Sequence, residues 1–332
     1  MDAPGLGSER AMRGRVDVET EVTGLSSGGL KHVAFFYPDQ ASYRTEILRF
    51  VSSGMGMGEP TLIALPGNEA ERIADQLAAE PGELLCIDMN DLGRNPARII
   101  PALRAFVDKH VGQPVRLVEE PVWPGRSAAE ANEAIRGDAL INLALTGTRA
   151  SVLCPFDVSS LPARIILGAR QTHPEHLDSG PNAAAFRQTR VPWQIPAGYD
   201  DPLPPPPATA ESIWYDNDLS VVRGLVERHA RRSGLDRSRA SDLVLSVSEV
   251  AANTLEHTAT GGTLQVWDDD EEILCQTHDT GWITDPLAGR VRTGPESRGH
   301  GLFVVNQVCD LVELRTGRAG TTVRLHMHRD VV

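Results

Sequence analysis

The chain has 332 residues, 41% apolar and 23% charged, a mixture that disfavours wholesale disorder or a fibrous repeat. At roughly 100 to 200 residues per domain, the length points to two domains. The 45 acidic side chains outnumber the 32 basic ones, for a formal charge of −13. The deficit is shared, with 26 acidic against 19 basic in residues 1–210 and 19 against 13 in residues 211–332, so neither half has the basic excess of a nucleic-acid-binding module.

No stretch reaches the roughly 18 to 20 apolar residues of a spanning helix, and the polar start MDAPGLGSERAMRGR has no apolar segment behind it. A cytoplasmic protein with no membrane contact is expected. Cys86, Cys154, Cys275 and Cys309 are far apart without a CxxC pair, which favours buried reduced thiols over disulfides or a zinc site. Lys31 and Lys109 are the two lysines, and neither lies in a GxxxxGK[ST] loop; a DFG sequence is also missing. ATP chemistry, if present, must use a design without a phosphate-loop lysine.

In chain order, residues 1–28 read as a flexible polar tail. Residues 29–193 alternate strand and helix patterns: HVAFFY, YRTEILRFVSSGM, TLIALP, NEAERIADQLAAE, ELLCIDM, RIIPALRAFVDKHV, PVRLVEEPVW, AEANEAIRGDALINLAL and ASVLCPFD. Such alternation predicts an α/β domain with a parallel sheet. Residues 194–210, QIPAGYDDPLPPPPATA, read as a proline-rich linker, because four consecutive prolines cannot join a helix or central strand. Residues 211–332 change pattern to two helices, DLSVVRGLVERHARRSGL and SRASDLVLSVSEVAANTLEHT, strands GTLQVW and EILCQTHD, a glycine-rich loop, one helix, and the strands LVELRT and TTVRLHM. This is an α+β layer with helices on one face of a mixed or antiparallel sheet.

Four short motifs in this second half carry chemistry. Helical spacing puts Glu249, Asn253 and His257 on one face of a helix whose Val247, Val250, Ala251 and Leu255 face a core. A solvated face would look the same. Asp279 and Gly281 end a strand, where a carboxylate can accept an exocyclic amine and glycine lets the backbone approach a flat ring; a strand-ending turn is the competing reading. Gly299 and Gly301 precede a helix bearing Leu302, Val305 and Val308, and free N–H groups at such a start suit phosphate oxygens. Gly320, Thr321 and Thr322 follow.

In that order, ExxxN, DxG, GxGL and GTT resemble the GHKL (Bergerat-type) ATPases carrying a HATPase_c domain, and within them the RsbW-type anti-sigma factor serine/threonine kinases. The resemblance implies a Bergerat ATP-binding sandwich over residues 211–332, with ATP and Mg²⁺ as cofactors. It also implies roles: Glu249 as base, Asn253 as Mg²⁺ ligand, and Asp279 as adenine reader with Gly281 as its backbone partner. Gly299, Gly301 and Leu302 would form the phosphate-facing loop, with Thr321 or Thr322 supporting the adenine site. The implied partners are a STAS-type anti-anti-sigma factor as substrate and a sigma factor as target. A homodimer is open.

Ile283 departs from a second glycine common among GHKL members, and the lid, about 285–298, is short. The alternatives are a non-catalytic ATP-binding anti-sigma factor that sequesters a sigma factor, and a histidine kinase. The latter needs a phosphoacceptor, for which the chain offers His229, read as an exposed helix residue.

In the first half, HVAFFYPD, FVSSGMGMGEPTLIALP, GRNPARIIPALRAFV, EEPVWPGRS, LCPFD and ARQTHPEH resemble the MEDS sensory domain, which implies signal transduction to the kinase and an unidentified small ligand. FVSSGMGMGE also resembles the RecA/KaiC-like ATPases, but without their lysine. His32, His173 and His176, with Glu120, are candidate metal ligands, the competing reading being structural histidines. Trp123, flanked by Pro121 and Pro124 and followed by Arg126, belongs to a ligand cleft, to a partner groove or to the core.

Overall fold

The computed structural model describes residues 29–78, 82–179, 185–187, 194–269, 271–292 and 300–329; the tail over 1–28 lies outside them. The first half contains β1 (Lys31–Tyr37), α1 (Gln40–Gly56), β2 (Thr61–Leu65), α2 (Glu69–Gln76), β3 (Leu84–Asp88), α3 (Met89–Leu92) and, after a 3-10 turn at Pro96–Arg98, α4 (Ile99–Lys109). It continues with β4 (Val115–Glu119), α5 (Ala128–Ala144), β5 (Ala150–Asp157), α6 (Ala163–Thr172), β6 (Glu175–Asp178) and β7 (Ala185–Arg187). The sheet order is β3-β2-β4-β5-β1-β6-β7, parallel except for β7.

Both faces of this sheet are covered, as an all-parallel sheet requires. Ala34, Phe36, Val152 and Phe156 pack towards α4, α5 and α6, whereas Phe35, Ile63, Val118 and Leu153 pack towards α1 and α2. Helix α5 starts at a capping box: Ser127 accepts from the Glu130 amide at 3.2 Å and Glu130 accepts from the Ser127 amide at 2.7 Å. The glycine-rich FVSSGMGMGE is the end of α1 and the turn after it, not a phosphate loop. Buried Arg116 pairs there with Glu59 at 2.6 Å, and a Cβ on Gly54 would lie 2.3 Å from Arg116 Cδ. Glycine at 54 makes room for that arginine.

The second half contains β8 (Glu211–Tyr215), α7 (Leu219–Arg232), α8 (Arg237–His257), β9 (Gly262–Asp268), β10 (Glu272–Asp279), α9 (His300–Val308), β11 (Leu311–Gly317) and β12 (Gly320–His328). The sheet order is β11-β12-β10-β9-β8, antiparallel throughout, with α7, α8 and α9 against one face. Strands β6, β7 and β8 and helices α3 and α6 are additions to the elements expected from the sequence. Asp218 and Asp236 cap α7 and α8 by accepting from amides two residues on, at 2.7 and 2.6 Å.

The other face of the second sheet is polar yet covered. Glu272, Glu313, Arg324 and His326 alternate with the apolar residues that face the helices, and Arg315 Nε and Arg324 Nη2 donate to the carbonyls of Asp201 and Pro204 at 3.1 and 2.5 Å. The proline-rich segment thus lies across this face and supplies it with acceptors. Burial would lower His326, but the hydrogen bonds it donates to Glu272 and Glu313 outweigh that and hold it up at about 9, while burial of Glu272 is outweighed by His326 and His328, which hold it down at about 2.

Candidate functional site

Helix α8, the end of β10 and the start of β12 enclose a cavity of about 420 Å³ lined by Asn253, Thr254, Asp279, Gly281, Leu302 and Thr321, among others. Its size falls within the range of small-molecule sites. At one end, Asp279 Oδ2 accepts from Thr254 Oγ1 at 2.6 Å and Oδ1 accepts from the Gly281 amide at 2.8 Å, and Tyr215 Oη donates to Thr254 Oγ1 at 3.1 Å. The carboxylate is therefore oriented, with lone pairs left for a further donor. Added at Gly281, a Cβ would stand 3.0 Å from both Asp279 Oδ1 and Thr258 Cγ2, so glycine is selected by close approach. Thr321 Oγ1 donates to the Gly281 carbonyl at 2.9 Å and lies 2.8 Å from Thr316 Oγ1, tying β12 to the segment after Asp279.

Of the two threonines read from GTT, the structure brings Thr321 to the cavity and not Thr322. The period-two alternation of β12 turns Thr322 to the opposite face, where its Oγ1 lies 3.0 Å from His278 Nδ1.

At the other end, Glu249 and Asn253 meet the first turn of α9. A Cβ on Gly301 would fall 2.7 Å from Glu249 Oε2 and 3.5 Å from Asn253 Nδ2. Glu249, Asn253 and Gly301 thus share one corner, beside amides at the positive end of the α9 dipole. Gly299 and the last part of the expected lid, residues 293–298, lie outside the described residues. Asn253 offers a neutral oxygen beside the Glu249 carboxylate, a hard-donor set that fits a magnesium ion kept mostly hydrated.

Two residues of this region escaped sequence reading. Thr254, 2% exposed, bridges Tyr215 and Asp279, and its signal was a hydroxyl at a core-facing position of an apolar helix stripe. Trp282 follows Gly281 at the cavity mouth and is 59% exposed. His229 is corrected from exposed to buried: Nε2 lies 3.1 Å from Glu211 Oε2 and Nδ1 3.6 Å from Asp268 Oδ1. An imidazole enclosed between two carboxylates of the sheet is poorly presented as a phosphoacceptor.

The first half reaches this site from behind. Arg98 Nε and Nη2 donate to the carbonyls of Asn306 and Cys309 at 3.0 and 2.8 Å, and Asn95 Nδ2 donates to the Asn306 carbonyl at 3.0 Å. The C-terminal end of α9 is capped by a cation from the other domain, which complements both its free carbonyls and its dipole. Glu133 of α5, 1% exposed, receives Arg290 at 3.2 Å, Arg315 at 2.6 Å and Arg136 at 3.2 Å. Arg290 belongs to the described first part of the expected lid, after Asp279. Three arginines on one buried carboxylate make this contact specific in geometry.

Of the remaining expectations, Arg126 stacks on Trp123 with 3.9 Å from Cζ to the ring, and Trp123 packs on the first core. Glu120 points away from the three histidines and accepts from Tyr37 and Tyr43 at 3.1 and 2.8 Å, and burial raises it to about 7. His176 Nε2 lies 2.8 Å from the Arg170 carbonyl and leaves His32 and His173 as a pair.

A five-stranded antiparallel sheet with three helices on one face, and a cavity between α8, the Asp279 turn and α9, defines a GHKL-type ATP-binding fold; the other half is a parallel α/β domain. The family models agree: that of the MEDS domain (methanogen/methylotroph, DcmR sensory domain) matches residues 31–174, and that of the histidine kinase-like ATPase domain matches residues 216–327. The chain therefore joins a MEDS sensory domain to a histidine kinase-like ATPase domain and is a regulatory, ATP-binding, kinase-like protein. No curated protein matches it. Among the described residues, no helix is long and apolar enough to cross a membrane.

Proposed function

We propose that the C-terminal domain is a serine/threonine protein kinase that phosphorylates a STAS-type anti-anti-sigma factor and grips a sigma factor in the alternative state. The observation that carries this reading is the shared corner of Glu249, Asn253 and Gly301 beside the cavity that holds Asp279. A carboxylate there can take the proton of a serine hydroxyl as it attacks, and its partial exposure leaves room for a hydroxyl on a partner protein.

In this reading Asp279 accepts the exocyclic amine of adenine, Gly281 lets the base lie close to the backbone, and Thr321 holds the turn in place. Asn253 would hold Mg²⁺, and amides around Gly299, Gly301 and Leu302 would face phosphate oxygens. When bound, the metal neutralises phosphate charge as it transfers. Positioning by the helix corner and charge stabilisation by the α9 start then supply catalysis without a lysine.

Control by the N-terminal domain follows from the two ends of α9. Its first turn faces Glu249 and its last carbonyls are held by Arg98 and Asn95, so a shift of the sensory domain moves the helix whose start serves the nucleotide. The Glu133–Arg290 pair acts likewise on the first part of the lid. Incubation of the full chain with γ-labelled ATP and STAS proteins tests the proposal: acid-stable label on a STAS serine is expected. Acid-labile label on the chain itself would instead establish a histidine kinase. A chain that binds ATP and retains a sigma factor without ever transferring phosphate would establish the sequestering role.

A further inference from the structure

The N-terminal domain holds a second constellation that the nucleotide chemistry does not use. His32 of β1, Asp138 of α5, Cys154 of β5 and His173 after α6 are 0–1% exposed, and one donor atom from each lies within 4.8 Å of the others. Sheet register assembles it. β1 and β5 run parallel with His32 opposite Val152 and Ala34 opposite Cys154, so His32 and Cys154 share the face covered by α5 and α6.

Surrounding hydrogen bonds decide which ring nitrogen is free to ligate. Asn142 Nδ2 donates to the carbonyls of Asp138, Ala139 and Thr172, which leaves Asn142 Oδ1 to accept from His32 Nδ1 at 3.0 Å. The lone pair of His32 is therefore on Nε2, 3.3 Å from Cys154 Sγ. His173 Nδ1 donates to the Ala169 carbonyl at 2.8 Å, so its lone pair is also on Nε2, and that atom, in a side chain 0% exposed, has no hydrogen-bond partner. The two rings face each other with centroids 4.1 Å apart. Asp138 Oδ2 receives no hydrogen bond from an N–H or hydroxyl group, and the Asp138 carboxyl shares a proton with the buried Glu119 carboxyl beside it.

A core needs none of these groups, and an unpartnered imidazole nitrogen beside a thiol and a carboxylate is destabilising. We propose that His32 Nε2, His173 Nε2, Cys154 Sγ and the Asp138 carboxylate bind one zinc ion, with Asn142 and the Ala169 carbonyl as the outer partners that fix the two imidazole tautomers. Two imidazoles, a thiolate and a carboxylate form a four-coordinate set suited to zinc, and the sulfur selects against magnesium and calcium. On loading, the Cys154 S–H bond breaks and a sulfur–zinc bond forms. The proton that Asp138 shares with Glu119 stays on Glu119, which frees the Asp138 carboxylate, and the thiol proton leaves past Glu119 Oε1, which already accepts from the thiol at 3.2 Å, to solvent. Two anionic and two neutral ligands leave the buried site without net charge. Four protein ligands leave no open position, so the ion is structural or sensory, not hydrolytic. Asp138 and the interface residue Glu133 both project from α5, so the ion and the domain contact share one helix.

The test uses the full-length chain, stripped by a chelator and verified as folded by circular dichroism, then titrated with Zn²⁺ against a competing chromophoric chelator and separately with Co²⁺. One ion per chain is expected, with intense visible cobalt bands, a sulfur-to-cobalt charge-transfer band, and a higher melting temperature with zinc. Cys154→Ser should abolish the charge-transfer band, and it and His173→Gln should each weaken zinc by about 100-fold or more, at or beyond the upper end for losing an outer partner. A folded, stripped wild-type chain that takes up no zinc below millimolar overturns the proposal, and does so even if both variants fail to fold. Undiminished affinity with the charge-transfer band intact in Cys154→Ser overturns it as well.

Discussion

In the C-terminal domain, the partly exposed Asn253 and Asp279 line a cavity of about 420 Å³, and Glu249, also partly exposed, lies one turn of α8 from Asn253. In the N-terminal domain, His32, Asp138, Cys154 and His173 are sealed between a sheet and two helices. The open site satisfies its own polar atoms: Asp279 is held by Thr254 and Gly281, and Thr321 by its neighbours. The sealed one does not, since His173 Nε2 is left without a partner. Groups that exchange a ligand with solvent must be tolerable when empty, whereas groups buried for good need a permanent partner. Between the two lies a third polar cluster, Glu133 with its three arginines, which joins the domains.

The largest effect is expected at the open site. Glu249→Ala should slow phosphate transfer to a STAS serine by about 10² to 10⁴ while ATP binding stays largely intact, as for loss of a positioned general base. Single-turnover transfer and calorimetry on one preparation separate the two quantities. A full transfer rate with every acceptor would remove Glu249 from the chemistry and leave only a solvated helix face.

Next comes the junction. Glu133→Ala leaves Arg136, Arg290 and Arg315 around an empty buried position and should lower stability by about 3 to 5 kcal/mol, as when one partner of a buried ion pair is deleted. Urea unfolding monitored at Trp282 and by far-ultraviolet dichroism measures it. A loss below about 0.5 kcal/mol, the size of an ordinary surface substitution, would mean that the domains do not dock through this cluster in solution.

A smaller effect is expected at Asp279. Asp279→Asn presents an amide where Thr254, Gly281 and an adenine amine all donate, a mismatch of about 1 to 3 kcal/mol that should weaken ATP about tenfold or more. Calorimetric affinities that coincide for the two proteins would return Asp279 to a turn residue.

The smallest effect concerns the polar face of the second sheet. His326 is held at about 9 against an ordinary value near 6.5, so its contribution to stability is complete below about pH 6.5 and is lost as pH rises through about 9. Glu272 is held at about 2, so its contribution is present above about pH 4.5 and lost as pH falls through about 2. His326→Gln should therefore flatten the decline in melting temperature between pH 6.5 and 9. Parallel curves for variant and wild type would show that Glu313 and Arg324 compensate.

Much of the architecture was legible because it is local. Alternating apolar runs marked the parallel sheet, and the three-to-four-residue spacing of Val247, Val250 and Ala251 marked α8 with Glu249 and Asn253 on its other side. The Asp279–Gly281 turn and Gly301 in the first turn of α9 were legible for the same reason. Strand β8 was missed because ESIWY follows prolines and lacks a turn signal. Thr321 and Thr322 could not be separated until register put one in the cavity and one outside. His229 was misread because a helix pattern says nothing of the two carboxylates, Glu211 of β8 and Asp268 of β9, that enclose it.

The amino-acid sequence by itself determined the two domain types and the ordered motifs around the nucleotide cavity, since helix faces, strand ends and glycine turns follow from neighbours a few residues apart. Only the tertiary structure decided that Arg98 caps α9, that Glu133 gathers three arginines, and that His32, Asp138, Cys154 and His173 meet. The physical reason is that a buried charge or lone pair takes its energy from whatever surrounds it in space, and strand register, not chain distance, selects those surroundings.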